Sequence, residues 1–168
     1  LIKIACIQGI ITIDMSIKDI LKRKPLKIMV TDDDSEDQEL IKLALKETDE
    51  NHEIIFASNG EDLLLKLNKL QSSKNERLPD LIFLDLNMPI KDGRITLKEI
   101  KQSDHFSKIP VFIYTASSSS RDVNLCYEQG ANLFIKKPTD FNKINVVVKN
   151  LFDLFNEFVS LPTSKKLE

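Results

Sequence analysis

The sequence predicts an α/β domain in three layers, a five-stranded parallel sheet covered by helices on both faces. Three observations carry that prediction. From Pro25 onward, short apolar runs of strand length alternate with longer helical runs. Strands separated by helices need right-handed crossovers and therefore pair in parallel. The chain has 168 residues, 42% of them apolar and 30% charged, enough for one full core and too few for two ordinary domains.

Lys27 to Thr31 reads as a short buried strand, and Ser35 to Glu47 as a helix with Leu40, Ile41, Leu43, Ala44 and Leu45 toward a core. Acids open that helix, as its dipole favours. Glu53 to Ala57 is the second strand. Asn59-Gly60 breaks it and starts a helix carrying Leu63, Leu64, Leu67 and Leu70, followed by a polar loop over Gln71 to Arg77. Leu81 to Leu84 is the third strand, Gly93 to Lys101 a helix, and Val111 to Tyr114 a fourth strand introduced by Pro110. In the loop Ser117 to Ser120, Ser119 is placed to cap the next helix and Asp122 to complete a capping box. That helix runs to about Gln129 and stops at Gly130, a favoured C-cap residue. Ala131 to Ile135 is the fifth strand, ended by Pro138, and Thr139 or Asp140 can cap a last helix reaching Val159. The expected organisation is an N-terminal extension over 1–24, a domain over 25–159 and a tail over 160–168. Met15 offers a natural initiator, so residues 1–14 are as readily upstream sequence as native extension, and Leu167-Glu168 is similarly open.

Composition excludes several function classes. A net charge of −2 argues against nucleic acid as a partner, which shows as a basic patch. Cys6 and Cys126 lie far apart and form no CxxC pair, so neither a disulfide framework nor a zinc site is expected, and a reducing cytoplasm fits. With His52 and His105 as the only histidines, a bound metal would take mainly oxygen ligands, which points to magnesium, calcium or manganese. The apolar segment Leu1 to Asp14 falls short of the roughly 20 residues that span a bilayer and lacks a signal-peptide layout, so no membrane partner is expected.

The strand ends hold the chemistry. Strand one ends in Asp32-Asp33-Asp34, strand three in Asp85, strand four in Thr115 and strand five in Lys136-Lys137-Pro138. In a parallel sheet these ends share one edge, and where strands one and three are neighbours their acids face each other across a crevice at the switch point. Two carboxylates about 4 Å apart repel by roughly 4 kcal/mol at an effective dielectric of about 20. Such a cluster wants a cation, and Mg²⁺ fits best because it keeps waters and bridges to phosphate oxygens. Each residue has a plainer explanation taken singly: Asp32 to Asp34 as helix-capping acids, Lys137 as a surface cation, Thr115 as a strand-end residue. Together, a carboxylate nucleophile, metal-binding acids, a cation and a hydroxyl describe phosphoryl transfer to an aspartate.

On these residues the chain resembles the receiver domain of bacterial two-component response regulators. The resemblance covers about residues 26–158. It rests on Ile28-Met29-Val30-Thr31-Asp32-Asp33-Asp34, on Asp80 to Pro89 with Asp92-Gly93, on Ile109-Pro110 through Thr115-Ala116, and on Gly130-Ala131 through Lys137-Pro138. It implies a flavodoxin-like sheet in the order 2-1-3-4-5, with Asp85 as phosphoacceptor. Asp33 and Asp85 would bind Mg²⁺ with the backbone carbonyl of Asn87, while Asp32 would act largely through water. Lys137 would pair with the phosphoryl group. Lys136 competes for that role, but strand alternation points it the other way. The family further implies a cis Lys137–Pro138 bond, and a switch in which Thr115 moves toward the phosphoryl group while an aromatic on strand five turns inward. Phe134 occupies that aromatic position without the commoner Tyr hydroxyl, a departure from the family's hydroxyl-mediated switch. Thr31, polar in a strand that is usually apolar, and the extra acid Asp34 are further departures. The long polar segment before strand three and the stretch Ile109 to Ser118 are similar to stand-alone regulators paired with bacterial phytochromes.

After Val159 nine residues remain, so output is expected through a downstream protein or a phosphotransfer relay. On the last helix, Phe141, Ile144, Val147, Val148, Leu151, Phe152, Leu154, Phe155, Phe158 and Val159 cover an arc of roughly 160°, wider than a core stripe of about 100°. The surplus suits a homodimer or docking face made with helix four and strand five. The resemblance implies a sensor histidine kinase as phosphohistidine donor, and no turnover beyond the chain's own phosphorylation and dephosphorylation. Two other readings compete. A magnesium-dependent aspartate phosphohydrolase normally carries a second Asp two residues after its nucleophile, where this chain has Asn87. An interaction module that never takes phosphate would have no use for the full residue set.

Overall fold

The computed structural model describes residues 25–49 and 51–158. The extension 1–24, the tail 160–168 and Val159 lie outside the described residues, as do the side chains of Phe141, Phe155 and Phe158. Five strands, β1 (Lys27–Thr31), β2 (Glu53–Ala57), β3 (Leu81–Leu84), β4 (Val111–Thr115) and β5 (Leu133–Lys136), form one sheet in the order β2-β1-β3-β4-β5. Every pairing is parallel. The helices are α1 (Ser35–Thr48), α2 (Gly60–Ser72), α3 (Gly93–Gln102), α4 (Ser120–Glu128) and α5 (Phe141–Phe158). Fold class and strand order are those expected.

Strand alternation divides the core in two. Ile28, Val30, Leu81, Phe83, Phe112 and Tyr114 pack under Ile41, Ala44 and Leu45 of α1 and Ile144, Val148 and Phe152 of α5. Met29, Ile82, Leu84, Val111 and Ile113 pack on the other face with Leu63 and Leu67 of α2, Leu97 and Ile100 of α3, and Cys126 of α4. β1, β3 and β4 are buried along their whole length, whereas β2 and β5, at the edges, are only partly covered. Phe83 meets Phe112 edge-on at 5.7 Å, which ties β3 to β4 across the first layer.

Several local expectations change. α2 continues to Ser72, absorbing the start of the polar loop. β5 begins two residues late, because Gly130 takes φ 93° and Ala131 N–H bonds back to the Cys126 carbonyl at 2.9 Å, closing α4 before extended backbone can start. Ser119 sits at the N-cap of α4 but makes no side-chain capping bond. The answering arm of the capping box is missing too, because the Asp122 carboxylate is engaged by Arg94 and by the Ser117 hydroxyl. Asp140, and not Thr139, opens α5, accepting from Asn142 N–H at 3.0 Å. Among the described residues there is no cis peptide bond, so Lys137–Pro138 is trans. Lys137 is aimed instead by its own backbone N–H on the Thr115 carbonyl at 2.8 Å and by the carboxylates its ammonium meets.

Candidate functional site

The carboxyl edge of the sheet is assembled from strand ends held by backbone bonds. Asp85 N–H donates to the Thr31 carbonyl at 2.9 Å and Asp32 N–H to the Ala57 carbonyl at 3.0 Å, continuing the ladder one step past each strand. The three consecutive acids then diverge. Asp32 is 3% exposed and accepts from the Asp34 amide at 3.1 Å, Asp33 faces solvent, and Asp34 caps α1 by accepting from Glu36 N–H at 2.8 Å. The capping explanation therefore holds for Asp34 and fails for Asp32. Gln38 braces this corner, its Nε2 donating to the carbonyls of Asp32 at 2.7 Å and Ala57 at 3.2 Å.

Asp85 is 7% exposed, and its Oδ1 accepts from Leu86 N–H at 2.7 Å. Behind it, Gly93 N–H bonds to the Leu86 carbonyl at 2.9 Å, so the start of α3 presses on the acid's backbone. A methyl group at Gly93 would lie 1.9 Å from the Asp85 carbonyl oxygen, a place only glycine can occupy.

Lys137 closes the site. Its Nζ stands 2.6 Å from Asp32 Oδ2, 2.7 Å from Asp37 Oδ2 and 3.6 Å from Asp85 Oδ2. The Tyr114 ring lies beneath it, with the centroid 5.8 Å away. Lys136 is exposed. Thr115 is fully buried at the end of β4, with its hydroxyl oxygen accepting from Ser117 N–H at 3.3 Å. Phe134 is half-buried against the α2–α3 layer, and its N–H donates to the Tyr127 hydroxyl at 3.2 Å. Asn87 is exposed.

Electrostatics follow from this crowding. Burial pushes the Asp32 carboxyl up to about 6, against the pull of the Lys137 ammonium and the Asp34 amide, and Asp85 adds to the rise. Burial works against the Lys137 charge, but its bonds to Asp32 and Asp37 prevail and hold its pKa above the ordinary value. Burial also lifts the Tyr114 phenol to about 12, with Asp37 contributing.

The donor set fits a hard cation. Asp32, Asp33 and Asp85 each offer a carboxylate oxygen, and these lie within 4.8 Å of one another. Two of the three acids are buried, and one ammonium cannot balance them.

Sequence reasoning missed Asp37, because an acid in the first turn of a helix is already accounted for by the dipole. It also missed a chain of contacts that joins Asn87, two residues past Asp85, to Ser117, two residues past Thr115. The Arg94 guanidinium bonds Asp122 at 2.8 Å, Asp92 at 2.8 Å and the Asn87 side-chain oxygen at 3.3 Å, while Ser117 Oγ donates to Asp122 at 2.6 Å. Bonds from Arg94 and Ser117 hold the Asp122 carboxyl down at about 2. No local spacing announces a partnership between residues 94 and 122.

Fold and site together define a class of doubly wound α/β domain that gathers three carboxylates, placed to hold a cation, at the switch point of a parallel sheet. A family model described as "Response regulator receiver domain" matches residues 28–149, and the chain belongs to that family. It is 33% identical over 140 residues to Response regulator Rcp1 of Synechocystis sp., covering 83% of this chain and 95% of that protein. Among solved structures it is similar to the phosphorylated cyanobacterial phytochrome response regulator RcpA, at 31% identity and TM-score 0.76, over 83% of this chain and all of that one. The Mn²⁺-bound form of Rcp1 aligns with TM-score 0.74 at 33% identity, again over 83% of this chain and all of that one. Membership makes this a two-component signalling domain with a histidine kinase as partner. No helix among the described residues is long and apolar enough to cross a membrane.

Proposed function

We propose that Asp85 accepts a phosphoryl group from the phosphohistidine of a sensor histidine kinase, and that the acyl phosphate changes which proteins the domain binds. The observation that carries this reading is the convergence of Asp32, Asp33, Asp85 and Lys137 on one edge of the sheet. Leu86 N–H holds Asp85 Oδ1, which leaves Oδ2 on the Lys137 side as the nucleophile. Oδ2 forms the new bond to phosphorus as the bond from phosphorus to the donor imidazole nitrogen breaks, and the electron pair stays on that nitrogen. The Lys137 ammonium then meets the equatorial oxygens, joined by the Thr115 hydroxyl. Mg²⁺ held by Asp33, Asp85 and the Asn87 carbonyl, with Asp32 acting through water, would neutralise the carboxylates and the incoming phosphoryl oxygens. The manganese bound to Rcp1, a relative with most of its length aligned to this chain, supports a divalent cation here.

The output reading rests on the α4–β5–α5 face. Tyr127, Val146 and Leu154 are exposed there, and a groove lined by Lys136, Pro138, Lys143 and Val146 runs between β5 and α5. That face serves a downstream protein, a phosphotransfer partner or a second copy, with Thr115 and Phe134 relaying the phosphorylated state. The working unit is 25–159, in the cytoplasm, and the similarity to RcpA and Rcp1 points to a phytochrome-type kinase as donor. Where the phosphohydrolase alternative carries its second Asp this chain has Asn87, an amide whose side-chain oxygen accepts from Arg94, and that counts against the alternative.

Intact-mass measurement after acetyl phosphate and Mg²⁺ tests this. The wild type should gain one phosphoryl mass and Asp85→Asn none. Absence of gain in the wild type, or equal gain in both, overturns the reading.

A further inference from the structure

Lys137 has three carboxylates within reach but only two close contacts, and one of them is an acid outside the metal-binding group. Asp37 Oδ2 is as near to Nζ as Asp32 is, 2.7 Å against 2.6 Å, while Asp85 stands off at 3.6 Å. Asp37 belongs to the first turn of α1, whose start is fixed by the Asp34 cap and by Gln38 on two carbonyls. It is therefore a firmly placed anion on the rim of the site. Asp32, Asp33 and Asp85 gather for a cation, and Asp37 does not join them.

From this geometry we propose that Asp37 is a positioning residue, which holds the Lys137 ammonium beside the cluster so that Lys137 and the divalent cation do not compete for the same carboxylates. The inference rests on the proposed function of the site. When a dication engages Asp32 and Asp85, the ammonium loses those partners to a stronger charge. Asp37 keeps it, still within a short reach of Asp85 Oδ2. Without Asp37, the remaining partners of Lys137 are the metal-binding acids themselves, and the ammonium becomes an internal competitor for the cation.

A double-mutant cycle on Mg²⁺ affinity, measured by calorimetry on the whole chain, tests the inference. Asp37→Asn should weaken Mg²⁺ binding roughly tenfold when Lys137 is present and no more than about threefold in the Lys137→Met background, since only the first includes competition. Asp37→Glu, which keeps the anion on a longer arm, should recover most of the affinity. Equal losses in both backgrounds would show Asp37 acting as bulk charge, and an unchanged affinity would show no role; either overturns the proposal. The wild-type mass measurement separates the two ideas. A wild type that takes phosphate while the cycle shows no coupling defeats this inference alone. A wild type that takes none defeats the functional reading, and the cycle still decides whether Asp37 places Lys137.

Discussion

At the residue scale, Asp32 carries the most distinctive electrostatics. Its carboxyl is raised from an ordinary 3.8 to about 6, so between those values the folded chain holds a proton that the unfolded chain releases. In metal-free buffer this contribution to stability is complete below about pH 4 and is lost as pH rises through about 6. The difference in unfolding free energy between wild type and Asp32→Asn should change by up to about 3 kcal/mol over that window, and Mg²⁺, which favours the carboxylate, should flatten it. Urea titrations at a series of pH values check this, and a difference that stays flat without metal would refute it. Gly93→Ala should cost about 1–3 kcal/mol and weaken Mg²⁺ binding as well, because the added methyl must displace the Asp85 carbonyl. Thermal unfolding and calorimetry report both effects. Asp32 and Asp85 were legible because each ends an apolar run. Asp37 was not, since the same first-turn acid serves the helix dipole and the lysine, and sequence registers only the former.

At the scale of elements, the far edge of the sheet has its own charged clasp. Lys27, 1% exposed, opens β1 and bonds Glu53 at the start of β2 at 2.9 Å and Glu76 in the loop before β3 at 2.7 Å. Its amide donates to Asp80 Oδ2 at 2.8 Å, and Arg77 pairs with the same carboxylate. A buried cation with two half-exposed partners is worth less than a packed apolar chain of equal length, provided the acids are left in water. Lys27→Met should therefore stay within about 1.5 kcal/mol of wild type, whereas Lys27→Ala should lose about 2–4 kcal/mol through the cavity it opens. The double change Glu53→Gln with Glu76→Gln should lower the urea midpoint further than Lys27→Met does, because it strands the ammonium. The reverse ranking would mean that an ammonium buried without its two acids costs little. Element type and order were readable from periodicity, while ends were less so. Helix α2 overran its polar boundary, and β5 started late because the turn at Gly130 consumed Ala131.

At the scale of the whole molecule, crossover logic and the strand-end residues made the architecture legible before any contact was known. What sequence could not supply was the long-range pairing of side chains, such as Arg94 with Asp122 and Lys137 with Asp37. The depth of the sheet predicts an order of opening. Amides of β1, β3 and β4, covered on both faces, should exchange with deuterium only through global unfolding, and those of β2 and β5 through smaller, earlier openings. Site-resolved exchange by NMR would contradict this if the edge strands proved as protected as the centre. The chain has no tryptophan and two tyrosines, and one of the two, Tyr114, lies with its ring under the Lys137 ammonium. Any displacement of that cation alters the environment of a chromophore the protein already owns. Near-ultraviolet circular dichroism in the tyrosine band and tyrosine emission therefore offer a label-free optical record of what Lys137 is doing, with Tyr127→Phe removing the other tyrosine.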